Sequence, residues 1–180
     1  MITAFIVSCE IGFWVFVLAG LICRYIFRLK KLGILLLYST PLIDLALVIA
    51  TVIDLRGGAI ATFAHSLAAV YIGVSIAYGH RMIKWADERF AHRFAGGPAP
   101  FRKPKYGKEH ARYERNGWLH HLLAFVIGSA LLYGMIIMVG DEARTEALWS
   151  TLQLWAVILG IDFLISFSYT LSPRKKKPLV

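Results

Sequence analysis

The chain has 180 residues, 58% of them hydrophobic and 17% charged, with a formal net charge of +9. A soluble domain carries about a quarter charged residues. Here the apolar residues fall in long blocks that consume most of the length, which leaves no room for a separate water-soluble domain.

A membrane span needs about 20 predominantly apolar residues. Five blocks meet that need: 2–27, 33–53, 59–79, 119–139 and 147–171. The fold class expected is all-α, a single membrane domain of five transmembrane helices. Of the 20 Lys and Arg residues, all but Arg56 and Arg144 fall in the two connections 28–32 and 81–117, at the inner end of the first span, or in the C-terminal tail. Cytoplasmic loops carry the excess of Lys and Arg, so the N-terminus is expected outside and the C-terminus inside. Basic residues beside spans are this topology signal and attract anionic lipid headgroups. They are read so here, and not as nucleic-acid binding. No basic residue precedes the first apolar run, and that run exceeds the length of a signal-peptide core, so no cleavable signal is expected.

The first span places Glu10 in its outer half, with Trp14 one turn on and Arg24 and Tyr25 as inner anchors. Cys9 and Cys23 would lie about 21 Å apart along one helix, too far to pair within it. The second span carries a polar stripe, Thr40, Asp44, Thr51 and Asp54, whose spacings of 4, 7 and 3 keep one face. Pro41 lies in this stripe and frees a carbonyl one turn earlier. A turn at Gly57-Gly58 leads to the third span, where His65, Ala69, Gly73 and Ala77 recur every four residues. Small residues at that spacing let another helix approach closely, so Ala69, Gly73 and Ala77 read as helix packing, within the chain or in a homo-oligomer. The helix is expected to run on past Lys84 as an interface-lying amphipathic segment and to stop at Gly96-Gly97-Pro98.

The segment 101–115 is basic with interspersed aromatics and reads as a disordered or lipid-bound cytoplasmic loop. Span four opens after Gly117-Trp118 with His120 and His121, and an acidic turn at Asp141 and Glu142 leads to span five. There Asp162 sits just inward of the centre, with Ser166 and Tyr169 on its face. There is no internal repeat, which with five spans argues against an inverted-repeat transporter.

Glu10, Asp44, His65 and Asp162 are thus ionisable groups inside apolar blocks. A charged group at the bilayer centre costs about 2.5–3.5 kcal/mol or more, so these residues should be protonated or paired. A Glu10–His65–Asp44 cluster is the sharpest expectation. One reading makes the polar residues helix–helix glue, with the basic loop meeting lipid or a membrane partner, and no enzymatic role. A second is a proton or cation path with Asp54 and Arg56 at its mouth. A third is a b-type haem between His80 and His121, or His65 and Met135, which span-facing spacing allows. The first requires no cofactor and is preferred. No local metal-ligand spacing and no Gly-x-Ser-x-Gly nucleophile motif is present.

The runs Glu10-x-x-Phe-Trp, Thr40-Pro-Leu-Ile-Asp-Leu, Thr51-Val-Ile-Asp-Leu, Tyr71-Ile-Gly-Val-Ser-Ile-Ala and Trp85-Ala-Asp-Glu-Arg-Phe resemble the YmcC-like small bacterial integral membrane proteins. The resemblance covers Glu10 to Phe90. It implies a bacterial cytoplasmic membrane and carries over no catalytic residue.

Overall fold

The computed structural model describes residues 2–94 and 96–174; the side chains of residues 2–7, 9, 10, 13, 41, 44 and 94 lie outside that description. Five α-helices follow in order: α1 (Ile2–Tyr25), α2 (Lys30–Arg56), α3 (Phe63–Phe94), α4 (Gly107–Val139) and α5 (Glu142–Leu171). No strand occurs among the described residues. Three helices, Lys30–Arg56, Gly107–Val139 and Glu142–Leu171, are long and apolar enough to cross a membrane, and Trp14–Tyr25 is a shorter apolar stretch.

The surface is inverted relative to a water-soluble bundle. Leu35, Leu42, Ile53, Val157 and Leu164 are exposed, whereas Thr51, His65, Ser66, Thr145 and Ser166 are buried. Apolar tails outside and polar side chains inside are what a lipid solvent selects. α3 touches every other helix and is the hub. Its buried residues include His65, Ser66, Ala68, Ala69, Ile72 and Ala77, which explains why this helix reads as less apolar than its neighbours. The α1–α2 hairpin packs along the other side of α3. There Arg24 Nη2 reaches Asp87 Oδ2 at 2.5 Å, the Tyr25 hydroxyl donates to the same carboxylate, and Tyr25 stacks on Phe90 with centroids 4.3 Å apart.

The helices differ from the apolar blocks in three places. α3 begins at Phe63, after the start of its block at residue 59, because residues 59–62 are held by other bonds. Ala59 N–H donates to Asp54 O at 3.2 Å and Ala61 N–H to Arg144 O at 2.8 Å. Beyond the block, α3 continues as one helix to Phe94, and its Asp87 and Phe90 face packs on α1 rather than lying free in an interface. The third difference corrects the loop expectation: α4 begins at Gly107, so residues 107–115 are helical. The C-terminal end of α5 supplies the surface that orders them. His110 and Ala111 are buried, His110 meets the Tyr169 ring edge-on at 4.7 Å, and Arg115 Nη1 donates to Thr170 Oγ1 at 3.0 Å.

Pro41 does not break α2. The Leu37 carbonyl, which a proline nitrogen cannot serve, accepts from Thr40 Oγ1 at 2.9 Å. α4 ends at Gly140 in the left-handed conformation, φ 66°, where glycine carries no Cβ penalty. Asp141 then caps α5, accepting from Arg144 N–H at 3.2 Å.

Candidate functional site

Among the described residues, the polar side chains do not converge on one centre. They form two histidine–aspartate pairs, one within each of two helical hairpins.

The first pair joins α2 to α3. Thr62 precedes the first residue of α3 and His65 is the third residue of the helix. This is the register of a capping box, with the imidazole where glutamate or glutamine usually stands. Thr62 N–H donates to His65 Nδ1 at 3.0 Å, and Thr62 Oγ1 lies 2.8 Å from the same nitrogen. A backbone N–H can only donate, so Nδ1 accepts and Nε2 carries the proton. Nε2 then faces Asp54 Oδ2 at 3.4 Å. His65 is 4% exposed, and both its ring nitrogens are engaged.

The second pair joins α4 to α5. Trp155 Nε1–H donates to His121 Nε2 at 3.1 Å, which makes Nε2 the acceptor and Nδ1 the donor. Nδ1 donates to Asp162 Oδ2 at 2.8 Å, and Ser166 Oγ donates to Asp162 Oδ1 at 3.3 Å. Indole, imidazole, carboxylate and hydroxyl thus form one chain of hydrogen bonds. Tyr169 takes no part, since its ring packs on His110. His121 lies about 27 Å along α4 from its Gly140 end, and Asp162 about 30 Å along α5 from Glu142. Ser66, next to His65, is bonded to Thr151, eleven residues from Asp162, so the two pairs lie about 17 Å apart along the bundle.

Between them the contacts are close and mostly apolar. Ser66 and Thr151 hydroxyls bond at 2.9 Å across α3 and α5. A methyl group at Gly73 would lie 2.4 Å from the Ala124 carbonyl oxygen, and one at Gly128 would lie 2.4 Å from the Trp155 ring and 3.2 Å from Ala69 O. The Ala69, Gly73 and Ala77 face is thus occupied by α4 of the same chain, with Ala77 in one cluster with Ala124 and Trp155.

Two cations absent from the polar-stripe reasoning close the Gly57-Gly58 end. Arg56 Nε donates to Met138 O at 2.9 Å, and Arg144 Nη1 to Leu55 O at 2.6 Å. Each guanidinium donates to a last-turn carbonyl of a neighbouring helix, and Leu55 O also accepts from Gly58 N–H at 3.2 Å. Arg144 also bonds Asp141 at 2.8 Å and holds its carboxyl below the ordinary 3.8, chiefly through that side-chain hydrogen bond. Arg56 and Arg144 are the two basic residues that depart from the one-sided charge pattern, and both have this structural task.

Of the residues singled out from the sequence, Glu10 and Asp44 lie outside the described side chains, and with them the Glu10–His65–Asp44 cluster. His65 pairs with Asp54, and Asp162 with His121. Ligation of iron by His65 or His121 would displace a partner from a ring nitrogen; His80 is exposed and Met135 is buried in the apolar core. No group of three or more potential metal ligands occurs among the described residues. Thr62 and Trp155 carry the site and were not singled out. The signal for their partners was the turn: Asp54 and His65 flank Gly57-Gly58, and His121 and Asp162 flank Gly140, at offsets that meet in an antiparallel hairpin.

Long apolar helices, an apolar exterior and polar side chains turned inward define a helical membrane protein. The chain is 53% identical over 173 residues, spanning 96% of its own length and 92% of the relative, to "Uncharacterized membrane protein YmcC" of Bacillus subtilis strain 168. It belongs to the YmcC family of membrane proteins. No family model matches the chain, and no solved structure matches it.

Proposed function

We propose that the chain is a five-span protein of the bacterial cytoplasmic membrane, N-terminus outside and C-terminus inside. Its role is non-enzymatic: buried polar contacts fix the bundle, and its basic cytoplasmic end meets anionic headgroups. The observation that carries this reading is the separation of the two histidine–aspartate pairs. Each is saturated by neighbours in its own hairpin, and about 17 Å of bundle filled by small and apolar contacts separates them. Hydrogen bonding within each pair offsets the cost of holding polar groups at membrane depth. The gathering of Arg28, Lys30, Lys31, the residues 81–115 and Arg174 at the end opposite Gly140 supports the orientation.

The competing reading is a proton or cation path built on Glu10, Asp44 and His65, with Asp54 and Asp162 as further members. Liposomes holding the purified protein and a pH-sensitive dye separate the two. The proposal expects no protein-dependent proton flux under an imposed gradient, and a lower thermal midpoint for Asp162→Asn. Flux in the parent protein that Asp162→Asn abolishes would overturn it.

A further inference from the structure

The connection between α3 and α4 is folded back on both helices. Gly97 N–H donates to Ala91 O at 3.0 Å, Phe101 N–H to Glu88 Oε2 at 3.2 Å, and His110 Nδ1 to Pro104 O at 3.0 Å. This path brings Phe101 and Lys103 beside Tyr113 of α4. The Phe101 ring stacks on Tyr113 with centroids 6.4 Å apart, and Lys103 Nζ lies 5.4 Å from the Tyr113 centroid. From α3, the Arg81 guanidinium carbon lies 5.8 Å from the same centroid.

Two cations from different elements therefore meet at one aromatic ring. The ring attracts both, but they repel each other, and among the described residues neither is in an ion pair. An anion between them would relieve that repulsion. The surroundings identify its source. Arg81 and Trp85 share a face of α3 at a four-residue spacing. Beside them Met82 is 60% exposed, Trp85 56% and, on the connection, Phe101 67%. Large exposed apolar side chains interleaved with cations suit a headgroup layer, where aromatic rings and long cationic stems both settle. Nucleic acid or an acidic peptide would leave those apolar side chains uncovered.

We propose that Arg81, Lys103 and Tyr113 clamp the phosphate of an acidic phospholipid on the cytoplasmic leaflet, with Met82, Trp85 and Phe101 seated in the interfacial layer. The clamp rests on the orientation proposed above. The phosphodiester accepts from the guanidinium and the ammonium at once. A zwitterionic headgroup carries its own ammonium, which competes for the phosphate and is repelled by Arg81 and Lys103, so the clamp discriminates phosphatidylglycerol from phosphatidylcholine.

The test titrates each of these two lipids into the full-length protein in neutral detergent micelles and counts bound lipid by native mass spectrometry. The parent protein should bind phosphatidylglycerol about tenfold or more tightly than phosphatidylcholine. Arg81→Gln with Lys103→Gln should abolish the preference. Arg102→Gln with Lys108→Gln removes the same charge from exposed neighbouring positions and should keep it, as should the charge-conserving Arg81→Lys with Lys103→Arg, which also guards against a folding defect in the first variant. Equal loss in the two Gln pairs overturns the clamp and leaves a diffuse basic attraction. Equal binding of both lipids by the parent overturns the clamp and the basic-end reading together. Displacement of phosphatidylglycerol by an RNA oligonucleotide at matched phosphate concentration overturns the lipid assignment.

Discussion

His121 shows how much a single donor decides. Trp155 can only donate, so its N–H sets which imidazole nitrogen accepts and aims the other at Asp162. If the pair is helix glue, the residues couple. His121→Leu and Asp162→Asn should each lower the thermal midpoint. A double-mutant cycle should return a coupling of about 0.6–1.7 kcal/mol, the range of hydrogen bonds between membrane helices. Additive losses would show that the bond contributes nothing. Asp162 and His65 were legible as residues needing partners, since an ionisable group in an apolar block must find one. Their partners were harder to read. Depth estimated along separate spans put His65 beside Glu10 and Asp44, whose side chains lie outside those described; the partners that are described, Thr62 and Asp54, come from the capping register and from closeness across the turn.

At the scale of the helix, close approach is concentrated at few positions. Gly73 meets Ala124, and Gly128 meets Trp155 and Ala69, while Gly134 on the same α4 has open space around it. Gly128→Ala should therefore cost about 1–3 kcal/mol, the range for overpacking a filled interface. Gly134→Ala should change stability by less than about 0.5 kcal/mol. Reversible unfolding in mixed micelles checks both, and equal effects would contradict the packing described. The four-residue spacing of Ala69, Gly73 and Ala77 announced a close contact on α3 but could not name its occupant. That needed Gly128 and Ala124, which recur at the same spacing on α4.

The N-terminus of α5 gives a pH test. Arg144 and the α5 N-terminus hold the Asp141 carboxyl below its ordinary value, so the carboxylate stabilises the fold above that value, and the contribution is lost as pH falls through the lowered one. Asp141→Ala should lower the thermal midpoint at pH 7, and the gap between variant and parent should close as acid protonates the carboxyl, below the ordinary carboxylate range. A gap that persists there would show that the cap does not act through its charge. Neither Arg56 nor Arg144 could be read as a helix cap from sequence, because each serves the carbonyls of a helix other than its own.

For the whole molecule, hydropathy made the membrane legible and the asymmetry of Lys and Arg suggested its two sides. The extent of helix beyond the apolar blocks was not legible, because residues 107–115 owe their order to the C-terminal end of α5, a partner far away in sequence. The arrangement of sides is the claim on which the lipid clamp depends. It is tested most directly by impermeant thiol labelling in intact cells, starting from a chain with Cys9→Ser and Cys23→Ala and adding Glu142→Cys, Lys105→Cys or Arg174→Cys singly. The orientation proposed predicts that Glu142→Cys is labelled from outside, and that Lys105→Cys and Arg174→Cys are labelled only once the membrane is opened. Labelling of Lys105→Cys from outside, or of Lys105→Cys and Arg174→Cys from opposite faces, would contradict it.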